Sequence, residues 1–270
     1  MIADPVLVEA LIARISVWRP DGFLTIGICG SQGSGKSTLV ADLAEQLALR
    51  GVRVATLSLD DLYLTRAERQ VLARDVHPLF ATRGVPGTHD VALGLATIEA
   101  LARGEATPLP HFDKAIDDRA PESGWPRAPA DTQVLLLEGW CVGAAPQEES
   151  ALVAPVNALE RGEDADGRWR AYANAALAGD YQRLWSKLDH LILLAAPGWE
   201  IVAKWREQQE AALRQRGGSA VMSEAEVSRF IRHYERLTRH ILATMPDYAD
   251  VTVRLGEGRE VLGISEHVTG

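Results

Sequence analysis

Residues 30–37 read GSQGSGKS, a complete GxxxxGK[ST] segment between an apolar run, LTIGIC (24–29), and a helical stretch beginning near Lys36. An apolar strand, a glycine-rich turn and a helix in that order form a phosphate cradle. Gly30, Gly33 and Gly35 let successive backbone N–H groups of Ser31, Gln32 and Ser34 converge on an anion. The positive end of the following helix adds to the attraction. Lys36 then reaches the β and γ oxygens of a nucleotide, and Ser37, followed by Thr38, offers a hydroxyl to Mg²⁺. A flexible Gly/Ser loop would not need the flanking strand and helix.

Further apolar runs follow at 52–58, 134–138, 190–196 and 250–255, with helical stretches between them. Runs without alternation suit strands buried on both faces, so the expected fold is α/β. It is a doubly wound, mainly parallel five-stranded sheet with helices on both faces. A single domain over 1–270 is expected, with an N-terminal amphipathic helix (1–20) stopped by Pro20 and a long insertion at 75–133. The segment 198–245 is expected to form a basic helical lid and a C-terminal helix. The latter opens on a capping box, Ser223 with Glu226, and carries Val227, Phe230, Ile231, Tyr234, Leu237, Ile241 and Leu242 as a core stripe.

Phosphoryl transfer to an alcohol requires a metal ion against the phosphate charge and a base for the hydroxyl proton. VLLLE ends in Glu138, where a carboxylate on a buried strand needs a metal, water or donor partner. Glu138 is therefore the expected carboxylate of the Mg²⁺ shell. SLDDLYLT places Asp60 and Asp61 at the carboxyl end of the second strand, on the rim where open α/β sheets bind ligands. Asp60 is the preferred base and Asp61 the alternative, the other member being free to cap the following turn. Arg83, Lys114 and Arg119, on loops over the cradle, are candidates for binding a substrate carboxylate or the transferring phosphoryl. The histidines 77, 89 and 111 have no compact metal-ligand spacing. His89 is the one carried forward, with Asp90 beside it, as a substrate contact, and either of the two is the reserve base. Beyond Pro197 a basic helix carries Lys204, Arg206, Arg214 and Arg216, of which Lys204 and Arg206 lie nearest the strand end and could close over ATP.

The formal charge of −9 and pI near 5.3 disfavour nucleic acid and anionic membranes as partners, so an anionic substrate must meet a local cationic cluster. Two cysteines, Cys29 and Cys141, without CxxC spacing, fit a reducing cytoplasm and indicate neither zinc nor a disulfide framework. No basic leader or run of about 20 apolar residues points to export or membrane insertion. An NKxD guanine motif and an LSGGQ signature are both absent, which argues against regulatory GTPases and ABC-type ATPases.

Taken together, GSQGSGKSTL, SLDDLYLT, RGVPGTHD, FDKAIDDR, LLLEGW, WREQQE and HYERLTRH resemble the plant and fungal type of D-glycerate 3-kinase and its bacterial relatives over nearly the whole chain. That family is similar in turn to the uridine kinase, phosphoribulokinase and pantothenate kinase group of P-loop NTPases. The resemblance implies ATP and Mg²⁺ at Gly33–Thr38, a substrate loop at Arg83–Asp90, and lid contacts from Lys204 and Arg206. It also implies a base at Asp60, three residues before Tyr63, which joins the substrate-side candidates. FDKAIDDR departs from the plant pattern by lacking a longer glycine-containing insert. The expected activity is ATP-dependent phosphorylation of a hydroxyl on a small metabolite, D-glycerate first. A uridine, pantothenate or sugar-phosphate acceptor is the alternative, and a non-catalytic nucleotide-binding protein is the weaker one. An aromatic content of 6% with most rings on helical stripes favours the hydroxy acid.

Overall fold

The computed structural model describes residues 3–19, 22–215 and 223–267. Pro20, Arg216 and the side chain of Arg214 lie outside what is described. The chain opens on α1 (Pro5–Trp18), β1 (Leu24–Gly30), α2 (Lys36–Leu49) and β2 (Val54–Ser58). Next come α3 (Arg66–Asp75), α4 (Val91–Ala102), the short ribbon β3 (Phe112–Asp113) and β4 (Asp118–Arg119), and β5 (Val134–Gly139). The second half holds α5 (Ala158–Glu163), α6 (Arg168–Ala176), α7 (Gln182–Trp185), β6 (His190–Ala195), α8 (Trp199–Gln215), α9 (Glu224–Thr244), β7 (Val251–Leu255) and β8 (Val261–Glu266).

The main sheet has the order β2-β5-β1-β6-β7-β8, parallel throughout except for β8. It has six strands, not five. β8 runs antiparallel at the edge, and its Leu262 and Ile264 are largely exposed. A strand that buries so little carries no continuous apolar run, the signal that marks the central strands. By contrast, β1 and β5 are buried at every position. The strand and helix packing forms one large core, with Leu43, Ile26, Ile28, Leu135, Leu136 and Leu137 fully enclosed.

β1, β2 and β5 deliver their carboxyl ends to one rim. Glu138 of β5 stands in register with Ile28 on one side and Ser58 on the other. The cradle, the Asp60 turn and Glu138 therefore emerge side by side although about 100 residues separate the first from the last. The segment 75–133 divides. α4 is a crossover helix whose Ile98 and Leu101 join the main core, while the turn at 83–90 and the β3–β4 ribbon reach the rim.

Candidate functional site

Gly33 has φ +79°, and a Cβ there would lie 2.6 Å from Trp205 Cβ, so the cradle presses directly against α8. Only glycine combines that left-handed backbone with that approach. α2 starts at Lys36 with Gly35 at its N-cap, so its free N–H groups open onto the turn. Ser37 Oγ donates to Glu138 Oε1 at 3.0 Å, and Lys36 Nζ is 3.9 Å from Glu138 Oε2. Glu138 is only 7% exposed, yet its Oε2 has no hydrogen-bond partner. Ser31 Oγ, Gln32 Oε1 and Ser34 Oγ are likewise buried and unpaired. Buried oxygens left in this state suit a ligand that supplies cationic or donor partners. Thr38 stands half-buried in the first turn of α2.

A cleft of about 280 Å³ faces this cradle, and Lys36, Ser37, Asp60, Tyr63, Arg83, Lys114, Glu138 and Arg206 line it. Four cations thus face two carboxylates in a chain whose overall charge is −9. Ser58 caps the turn that carries Asp60. Asp60 Oδ1 accepts the Tyr63 hydroxyl at 2.9 Å, and Asp60 Oδ2 accepts Lys114 Nζ at 2.6 Å. Burial pushes the Asp60 carboxyl up, but the charges of Lys114 and Lys36 and the two hydrogen bonds outweigh it and hold the pKa at about 2. Asp60 is consequently ionised at neutral pH. Burial, and then the Asp60 charge, drive the Tyr63 hydroxyl well above the ordinary phenol range, keeping it a donor.

Arg83 pairs with Asp117 of the β3–β4 turn, and Asp117 also accepts from the buried Arg69 at 2.9 Å. Arg69 further bonds the carbonyls of Leu64, Ala81 and Asp117, so it fastens the ribbon to α3 and to the segment that leads into the 83–90 turn. Arg83 and Arg69 thus share the Asp117 carboxylate, and Arg83 also lines the cleft.

Several candidates lie elsewhere. Asp61 turns away from the cleft, its Oδ1 accepting the Phe112 N–H at 3.0 Å and facing His111 Nδ1 at 3.1 Å. His89 is buried behind Tyr63, stacked on its ring at 4.6 Å with Nδ1 2.5 Å from the Tyr181 hydroxyl. Burial pushes its pKa down to about 3, so the ring is neutral. Asp90 caps α4 through the Leu93 N–H and pairs with Arg119, which also donates to the Tyr63 carbonyl. Both belong to the scaffold of the turn. Lys204 is exposed on the far side of α8, 3.8 Å from Glu257, while Arg206, two positions on, points into the cleft. A helical step of about 100° per residue separates those faces. His77 lies away from the cleft beside Asp164 and Asp166. Asp164 is already engaged there by Arg170 Nη1 at 2.8 Å and the Trp169 N–H at 2.7 Å.

Four aromatic residues also line the cleft: Tyr63, Trp140, Phe230 and Tyr234. Tyr234 and Phe230 belong to the stripe read as core, and Trp140 follows Glu138 by two residues. Trp140 Nε1 donates to the Gly84 carbonyl at 3.0 Å, and the Tyr234 hydroxyl donates to the Arg83 carbonyl at 3.3 Å. These two rings hold the backbone that presents Arg83. A Cβ on Gly84, whose φ is +144°, would come within 2.1 Å of the Tyr234 oxygen. Phe230 supports Arg206, whose guanidinium carbon is 5.6 Å from the ring centroid. An amphipathic pattern reports which face is covered, not whether a cleft or a core covers it.

A mainly parallel sheet with this cradle, and with carboxylates on the two neighbouring strand ends, defines a P-loop kinase. The phosphoribulokinase / uridine kinase family matches residues 25–145. An uncharacterised kinase of Schizosaccharomyces pombe, mug58, is 38% identical over 226 residues, which span 80% of each chain. The chloroplastic D-glycerate 3-kinase of Arabidopsis thaliana is 33% identical over 234 residues, 82% of this chain and 48% of that longer protein. The structure of a D-glycerate 3-kinase from Cryptococcus neoformans is similar with a TM-score of 0.78 at 25% identity, over 96% of each chain. The chain belongs to the same kinase family as mug58, is a homologue of D-glycerate 3-kinase, and is an ATP-dependent kinase of small metabolites. Among the described residues no helix is long and apolar enough to cross a membrane.

Proposed function

We propose that this kinase transfers the γ-phosphoryl group of ATP to a hydroxyl of D-glycerate, giving 3-phosphoglycerate. The observation that carries the reading is the convergence of Asp60, Lys36, Arg83 and Lys114 on one cleft. An ionised Asp60 accepts the proton of the attacking hydroxyl as the O–P bond forms. Lys36 and Arg206 stabilise charge on the transferring group, a reading supported by their place in the cleft lining. Arg83 and Lys114 supply the cations that a small carboxylate needs. Lys114 then exchanges its bond with Asp60 for one with the substrate, which frees the base. Ser37 and Glu138 would hold Mg²⁺, and the unpaired buried Glu138 Oε2 fits that role. When bound, the ion neutralises β and γ oxygens.

The homology to D-glycerate 3-kinases at 33% and 25% identity supports this acceptor. A nucleoside acceptor is a second reading, favoured by the four rings in the cleft. Trp140 and Tyr234 are at most 3% exposed and packed edge to face, which leaves them little surface for stacking a base. Incubating the protein with ATP, Mg²⁺ and a panel of hydroxy acids, nucleosides, pantothenate and sugar phosphates tests both readings. Turnover with D-glycerate and a 3-phosphate signal by ³¹P NMR are expected. Preferential turnover of a nucleoside would replace the proposal.

A further inference from the structure

Outside the cleft, the turn between β7 and β8 reaches across to the phosphate cradle. Arg259 sits there with φ +71°, a left-handed conformation unfavourable for a non-glycine residue. Its Nε donates to the Gly33 carbonyl at 2.5 Å and its Nη2 to Gln208 Oε1 at 3.1 Å. The guanidinium also lies over the Trp205 ring, 5.0 Å from its centroid. Trp205 is 1% exposed, backs directly onto Gly33, and donates through Nε1 to the Glu257 carbonyl at 2.7 Å. One side chain thereby ties together the cradle, α8 and the β7–β8 turn.

We propose that Arg259 is a positioning residue for the nucleotide, setting the Gly33–Ser34 peptide and the seat of α8 on the cradle. A peptide unit is planar, so a bond that fixes the Gly33 carbonyl also fixes the direction of the Ser34 N–H. Trp205 is followed by Arg206, and Gln208 by Gln209, and both Arg206 and Gln209 line the cleft. Holding Trp205 and Gln208 therefore sets how those two side chains meet the phosphates. Arg259 itself touches no reacting atom. The inference rests on the nucleotide half of the proposed reaction and is independent of which alcohol is phosphorylated.

The test is calorimetric titration of the full-length protein with ADP in Mg²⁺, beside steady-state kinetics and thermal melts. Arg259→Met keeps the apolar stem and removes the donors. It should weaken ADP binding and raise the KM for ATP about tenfold, the scale of one charge-assisted hydrogen bond. The acceptor KM should stay within about twofold. Arg259→Lys should recover part of the loss, because an ammonium can reach one partner but cannot fork to both. Wild-type ADP affinity in Arg259→Met with a lowered Tm would reduce the residue to a structural clip and overturn the proposal. Should Arg259→Met fail to fold, unchanged ADP affinity in both Arg259→Lys and Gln208→Ala would overturn it equally. Because ADP binding requires no acceptor, a wrong assignment of D-glycerate leaves this result intact.

Discussion

Lys114 Nζ lies 2.6 Å from Asp60 Oδ2, so the carboxylate proposed as base is paired with a cation from the β3–β4 ribbon. The pair spans 54 residues of sequence and lines the cleft. It keeps Asp60 ionised and lowers its basicity.

Replacing Asp60 tests that role. Asp60→Asn keeps the size and a bond to Tyr63 but cannot take a proton, so kcat should fall about 10²–10⁴-fold with ADP affinity little changed. Asp61→Asn should spare kcat and act through the ribbon, raising the acceptor KM, since Asp61 bonds the Phe112 N–H rather than facing the cleft. A large kcat loss for Asp61→Asn with a mild one for Asp60→Asn would exchange their roles.

Lys114→Met removes the charge that lowers the Asp60 pKa, while the burial that raises it remains. The acid limb of the kcat/KM profile should therefore move to higher pH. Stability follows the same sign. A carboxylate depressed to about 2 when folded adds stability above its unfolded value of about 3.9, and loses it as pH falls between the two. Acid melts of Lys114→Met should show less of this loss. An unshifted acid limb would mean that Asp60 does not govern it.

Lys36→Ala should lower kcat at least about a hundredfold with Tm near wild type, because Lys36 faces the cleft and serves charge on the transferring group. Activity should also vanish with a chelator and return with Mg²⁺. Turnover within tenfold of wild type in Lys36→Ala, or turnover untouched by chelator, would contradict the roles assigned to Lys36, Ser37 and Glu138.

Arg83→Met should raise the acceptor KM about tenfold to a hundredfold and leave the ATP KM alone, the loss of one charged partner for a carboxylate. Gly84→Ala should perturb the same residue through the backbone. Its Cβ would meet the Tyr234 oxygen, and the strained φ adds to the cost, so about 1–3 kcal/mol of stability should be lost in denaturant titrations. A neutral Gly84→Ala would show that the turn relaxes freely around Tyr234.

The local order of strand, GSQGSGKS and helix was legible in the chain because a phosphate cradle is built from contiguous backbone and one lysine. The five apolar runs of the parallel core and the capping box at Ser223 were legible for the same reason, since each is a pattern within a single element. The sequence alone also offered Asp60 and Glu138 as strand-end carboxylates. Tertiary structure decided which neighbour of each pair faces the ligand. Asp60 and not Asp61, Arg206 and not Lys204, enter the cleft because residues one or two positions apart on a turn or helix point to different sides. It likewise moved His89 behind Tyr63, gave Asp90 and Arg119 to each other, and brought Trp140, Phe230 and Tyr234 to the cleft. The edge strand β8 and the Arg259 contact with Gly33 were invisible in sequence. Residues 226 apart meet there only because β7 and β8 join the same sheet as β1, and no local period records such a meeting.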